Sequence, residues 1–177
     1  MEEGMTEEQV KREESIPGSK GIPRQEACRE AGNGSKSLLE MIMDTFPGKS
    51  QDIRSYSALT LAYIGDVVYD LIIRTVVVSR ANRPVNDLHR ITVGYVSAGA
   101  QSKIVQALTG SLTEEEAAVY RRGKNSKPHT TAKNASVADY LRATGFEAVL
   151  GYLYLKGDME RALHLVKEGI ALAGLKI

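Results

Sequence analysis

Two carboxylates stand where a core-forming helix has no use for charge. Asp66 falls within Ala62-Tyr63-Ile64-Gly65-Asp66-Val67-Val68-Tyr69, and Glu147 within Ala143-Thr144-Gly145-Phe146-Glu147-Ala148-Val149-Leu150-Gly151-Tyr152. Withdrawing an ionised carboxylate from water without compensation costs several kcal/mol, so each needs a cationic side chain, a shared proton or a bound cation. Arg74 and Arg142 are the nearest basic candidates, but they lie eight and five residues from Asp66 and Glu147, outside the favoured helical spacings of three and four. A glycine also stands near each acid, Gly65 beside Asp66 and Gly145 shortly before Glu147. A mid-helix Gly costs roughly 1 kcal/mol against Ala, which close backbone approach would offset. Two acidic helices crossing closely make a cation site. An oxygen-only site with few protein ligands suits Mg²⁺, which keeps several waters and takes substrate phosphate oxygens. The competing reading of this pair is two buried ion pairs in a helical adaptor.

A second cluster is basic. From Ala117 to Ala138 there are five Lys or Arg residues and no Asp or Glu. Arg121, Arg122, Lys124, Lys127 and Lys133 supply charge, while Asn125, Thr130, Thr131 and Asn134 supply hydrogen bonds for phosphate and sugar oxygens. Gly123 is expected to let the backbone approach a phosphate. Contacts of this kind are salt-dependent and tolerant of sequence, and the alternative is a solvated basic loop. An acidic metal site beside a phosphate-binding surface suits phosphodiester hydrolysis. His129 reads as a bystander or a phosphate contact, and neither His89 nor His164 is needed as an imidazole base.

The elements that must carry these residues read as helices. Residues 1 to about 37 have six Glu in the first fourteen positions and no sustained apolar period, the composition of a disordered tail. Residues 1–50 are expected to be a disordered or weakly structured tail and 51–177 the catalytic domain. Leu38-Leu39-Glu40-Met41-Ile42-Met43 offers a short amphipathic helix stopped by Pro47-Gly48. Helical periodicity from Ser55 to about Ser79 predicts one long helix despite the strand-like Val76-Val77-Val78. Asn86 or Asp87 is expected to cap the next, and a further helical stretch covers Ala100 to Leu108. Thr113 and Glu116 form a capping box; Ser136 caps a long helix through Tyr154, and Asp158 a last one reaching Ala171. The chain reads as all-α. Tyr63, Tyr69 and Tyr152 suit core or dimer contacts better than base stacking.

The single Cys28 rules out an intramolecular disulfide framework, and no apolar run approaches the ~18 residues of a membrane span. With no signal-peptide pattern, a cytoplasmic location is expected. The net charge of +1 decides nothing by itself.

Tyr63-Ile64-Gly65-Asp66-Val67-Val68-Tyr69-Asp70 resembles the signature helix of ribonuclease III domains, and Phe146-Glu147-Ala148-Val149-Leu150-Gly151 resembles that family's second acidic helix. The similarity is greater to Mini-ribonuclease III, a short bacterial branch without a double-stranded-RNA-binding domain. It runs from about Ser57 to Ile170 and includes Pro84-Val85-Asn86-Asp87-Leu88-His89, Val96-Ser97-Ala98 with Gln101, Arg122-Gly123-Lys124-Asn125, and Thr130-Thr131-Ala132-Lys133-Asn134. The resemblance implies an all-α endonuclease fold, a homodimer, and an Mg²⁺ centre cutting double-stranded RNA. It further implies maturation of the large-subunit ribosomal RNA precursor, with a large-subunit ribosomal protein as a further partner. Asp66 matches the catalytic aspartate and Glu147 the metal-binding glutamate. Full-length ribonuclease III has a Glu where this chain has Ala62 and an Asp where it has Thr144, so the acidic shell is thin. Asp70 and Thr144 are the candidates for outer support, although Asp70 also has the spacing to pair with Arg74. If so thin a shell held no cation, the same fold would be a catalytically silent RNA-binding factor in ribosome assembly.

Overall fold

A computed structural model of the chain describes residues 36–49, 51–126 and 136–176, and all regular structure among them is helical. The short amphipathic helix is α1, Leu38–Thr45, closed at its start by reciprocal bonds between Ser37 and Glu40. None of its residues is buried. A single 3₁₀ turn, Ile53–Ser55, leads into the long helix α2, Ala58–Arg80. Ser57 caps α2 by accepting from the Thr60 N–H. The Val76-Val77-Val78 triplet stays helical because Val77 is buried in the core that α2 lines.

Helix α3, Val85–Val96, follows Pro84, and no side chain caps it. Asn86 and Asp87 therefore do not serve as the expected cap. They lie inside the first turn, past the cap position that Pro84 occupies, and Asp87 accepts from Arg90 at 2.8 Å. Helix α4 spans Ala98–Ala107. Helix α5, Glu114–Lys124, begins at the capping box: Thr113 Oγ1 accepts from the Glu116 N–H, and Glu116 accepts from the Thr113 N–H. Ser136 caps α6, Val137–Lys156, and Asp158 caps α7, Met159–Leu172. Gly157 ends α6 with φ of 83°, a left-handed position that suits glycine.

The core is built around α6, which packs against α2, α5 and α4 and is buried along most of Ala143–Leu153. Helix α3 lies against α2, and α7 closes the other side against α4 and α6. The rings of Tyr69 and Phe146 meet edge to face with centroids 5.6 Å apart, and the Tyr69 hydroxyl donates to Tyr95 O at 3.0 Å. One acid inside this core has a complete partner: Glu116 receives Arg161 through Nε at 2.8 Å and Nη2 at 2.9 Å. The tail 1–35 and the segment 127–135 lie outside the described residues, and with them Cys28, Lys127, His129, Thr130, Thr131, Lys133 and Asn134.

Candidate active site

Helices α2 and α6 cross at a distance only glycine permits. A Cβ on Gly65 would stand 1.8 Å from Glu147 O and 2.7 Å from Gly151 N, and one on Gly151 would stand 2.0 Å from Leu61 O. Backbone therefore lies on backbone, and Asp66 and Glu147 come to the same crossing. The second glycine of this contact is Gly151, not Gly145. Gly145 faces α5, where an added Cβ would lie 2.7 Å from the Tyr120 ring. Gly123 shares that contact, with its own Cβ position 2.8 Å from Gly145 Cα, so it seats α5 on α6 and does not open the backbone to a phosphate.

Neither candidate arginine reaches the acid pair. Arg74 Nε donates to Asp70 at 2.5 Å, and Arg142 Nη1 to Asp139 at 3.4 Å. Among the described residues no basic side chain pairs with Asp66 or Glu147. Burial raises the Glu147 carboxyl to about 7, the charge of Asp66 adds to the rise, and a hydrogen bond from Gln101 partly offsets it. Asp66 is more accessible, yet desolvation and the neighbouring charge of Asp70 also raise its pKa. Two carboxylates held together against their own ionisation, with no cationic side chain paired to them among the described residues, match the donor set of a hard divalent ion. No group of three His, Cys, Asp or Glu able to hold a metal occurs among the described residues.

The outer residues divide. Asp70 pairs with Arg74, and its charge helps raise the Asp66 pKa. Thr144 is buried, and its hydroxyl donates to Tyr140 O within its own helix at 3.1 Å. Gln101 carried no functional role in the sequence, where it stood only as part of a motif. It is 2% exposed, and its Nε2 donates to Glu147 Oε1 at 2.9 Å. Its own Oε1 is buried without a hydrogen-bond partner among the described residues. A buried polar atom left without a partner is uncommon and calls for an explanation. Arg121, Arg122 and Lys124 are exposed in the last turn of α5, followed by exposed Asn125, and none of the three cations is in an ion pair among the described residues.

Comparison with known proteins gives the class of a protein with this helical fold. The Ribonuclease III domain model matches residues 59–158, and the chain belongs to the ribonuclease III family of endoribonucleases, whose members act on double-stranded RNA and use divalent metal. Its place within that family is the Mini-ribonuclease 3 branch. The chain is 46% identical over 132 residues to Mini-ribonuclease 3 of Thermoanaerobacter sp. (strain X514), covering 75% of this chain and 93% of that protein. It is 48% identical over 118 residues to Mini-ribonuclease 3 of Clostridium tetani, covering 66% and 78%. A crystal structure of a Fusobacterium nucleatum protein, 32% identical, superposes with a TM-score of 0.63 and covers 71% of this chain and 98% of that one.

Proposed function

We propose that this endoribonuclease cuts double-stranded RNA with Mg²⁺ held by Asp66 and Glu147. The observation that carries the proposal is the glycine-mediated crossing of α2 and α6, which joins two carboxylates that no basic side chain among the described residues neutralises. The donor set fits the ion: all oxygen, with two carboxylates to carry negative charge. When bound, the ion supplies Lewis-acid polarisation of the scissile phosphate and a more acidic attacking water. The chain's own residues do the rest. Asp66 and Glu147 fix the position of charge, and Gln101 orients Glu147. Arg121, Arg122, Lys124 and Asn125, continued in sequence by Lys127, Thr130, Thr131, Lys133 and Asn134, hold the phosphate backbone. An RNA duplex is read by shape and by phosphate and 2′-hydroxyl contacts, which suits this set.

The working unit is a homodimer. Tyr63, Val67 and Leu71, four residues apart on α2, are 80%, 57% and 52% exposed. A stripe of large apolar side chains beside Asp66 supports a second copy as the partner. The substrate is a large-subunit ribosomal RNA precursor processed in the cytoplasm during ribosome biogenesis, as membership of the Mini-ribonuclease 3 branch implies; a large-subunit ribosomal protein is a further partner. Among the described residues no helix is long and apolar enough to cross a membrane.

The test is cleavage of a long generic RNA duplex by the wild type and by Asp66→Asn, each with Mg²⁺ and with EDTA. Metal-dependent cutting that disappears in a folded Asp66→Asn protein is the expected result. Duplex binding without cutting by the wild type, on generic and ribosomal duplexes alike, would instead favour the silent assembly factor.

A further inference from the structure

We propose that Gln101 is a positioning residue of the metal site: its amide clamps one oxygen of Glu147 and leaves the other to the cation. The proposal rests on Asp66 and Glu147 being metal ligands. Gln101 lies in the first turn of α4, 2% exposed. Its Nε2 donates at 2.9 Å to Glu147 Oε1 and at 3.1 Å to Val96 O. Val96 is the last residue of α3, so this carbonyl belongs to the helix end, where intrahelical partners run out. The amide thus ties Glu147 to the corner where α3 hands over to α4.

The orientation of this amide is determined by its neighbours. Turning it over would set its oxygen against a carboxylate and a carbonyl, both acceptors, and would forfeit both donor bonds. It therefore stays donor-first, and its own oxygen remains buried without a partner among the described residues. A leucine would fill the position with no orphaned carbonyl, so packing alone gives no reason for an amide here. What the amide supplies is a fixed carboxylate: Oε1 is occupied, and among the described residues no hydrogen bond engages Oε2. Partners of this kind set ligand orientation in metal sites, and their loss costs about 10–100-fold in metal affinity or activity.

The experiment uses the full chain and four proteins: wild type, Gln101→Leu, Gln101→Met and Glu147→Gln. Mg²⁺ binding is measured by calorimetry without RNA, thermal melting in EDTA reports the fold, and kcat and KM for a generic duplex are taken across Mg²⁺ concentrations. The expected result for whichever Gln101 variant melts like the wild type is a Kd for Mg²⁺ raised about 10–100-fold. Its KM for the duplex at saturating Mg²⁺ stays within about twofold of wild type, and added Mg²⁺ restores its kcat. Wild-type Mg²⁺ affinity in a folded Gln101 variant, with binding lost in Glu147→Gln, overturns the role of Gln101 alone. Absence of Mg²⁺ binding by the wild type, or undiminished binding by Glu147→Gln, removes the metal reading and this inference with it.

Discussion

A carboxylate kept for chemistry should weaken the fold that carries it, and Glu147→Gln measures by how much. Burial and Asp66 move the Glu147 carboxyl from its ordinary 4.5 up to about 7. At 1.36 kcal/mol per pH unit this amounts to about 3 kcal/mol of destabilisation once the group is ionised in both states. The sign follows from proton counting. The folded chain binds this proton more tightly than the unfolded one, so stability falls as pH rises from 4.5 to 7 and is level above. Glutamine keeps an oxygen for the Gln101 N–H and removes the charge. In EDTA at pH 8 the variant should therefore melt higher, by about 5–10 °C for a gain near 3 kcal/mol, less what its buried NH₂ group loses. At pH 5 the advantage should shrink to below about 1 kcal/mol. Saturating Mg²⁺ should raise the wild-type melting temperature at pH 8 and leave the variant unmoved. The assay is scanning calorimetry at the two pH values. A variant that melts at or below the wild type in EDTA at pH 8 would refute the reasoning, because Glu147 would then have a partner that offsets its burial.

Other outcomes follow from particular contacts. Gly151→Ala should cost about 3 kcal/mol or more in chemical denaturation, because its Cβ would lie 2.0 Å from Leu61 O, backbone that cannot rotate aside. Arg161→Ala should cost about 3–5 kcal/mol by the same measure, since it strands the buried Glu116 carboxylate. Lys124→Glu should weaken binding to unrelated RNA duplexes alike and lower the slope of log affinity against log salt by about 1; an unchanged slope in filter binding would take Lys124 off the phosphate surface. Val67→Glu should convert a dimer to a monomer in light scattering, and a dimer that persists would place the interface elsewhere than this face of α2.

Local chemistry was legible in the chain. Thr113 with Glu116, Ser136 and Asp158 announce their helices because a cap is satisfied within three residues. Asp66 and Glu147 stand out because a charge in an apolar helical run has few explanations. The pairing of Arg74 with Asp70 follows from the i,i+4 spacing. What could not be read depended on which helix packs where. From the sequence Gly145 is expected at the crossing of the acidic helices and Gly123 against a phosphate, but only the packed structure assigns both to the α5–α6 contact and brings Gly151, unmarked in the sequence, against α2. Gln101 is hidden for the same reason: its bond to Glu147 spans 46 residues, and glutamine in a helix carries no mark of burial. The cap position of α3 falls on Pro84, two residues before the nearer expected capping residue, and Pro84 has no side-chain acceptor to offer.

The central claim is that Asp66 and Glu147 hold the divalent ion, and it can be mapped on the polypeptide. Fe²⁺ substituted for Mg²⁺ and treated with peroxide generates hydroxyl radicals that cut the chain beside the bound ion. The account predicts cuts next to residues 66 and 147, suppressed by excess Mg²⁺ and absent in Asp66→Asn. Cuts confined to other segments, or cuts at 66 and 147 that persist in Asp66→Asn, would contradict it.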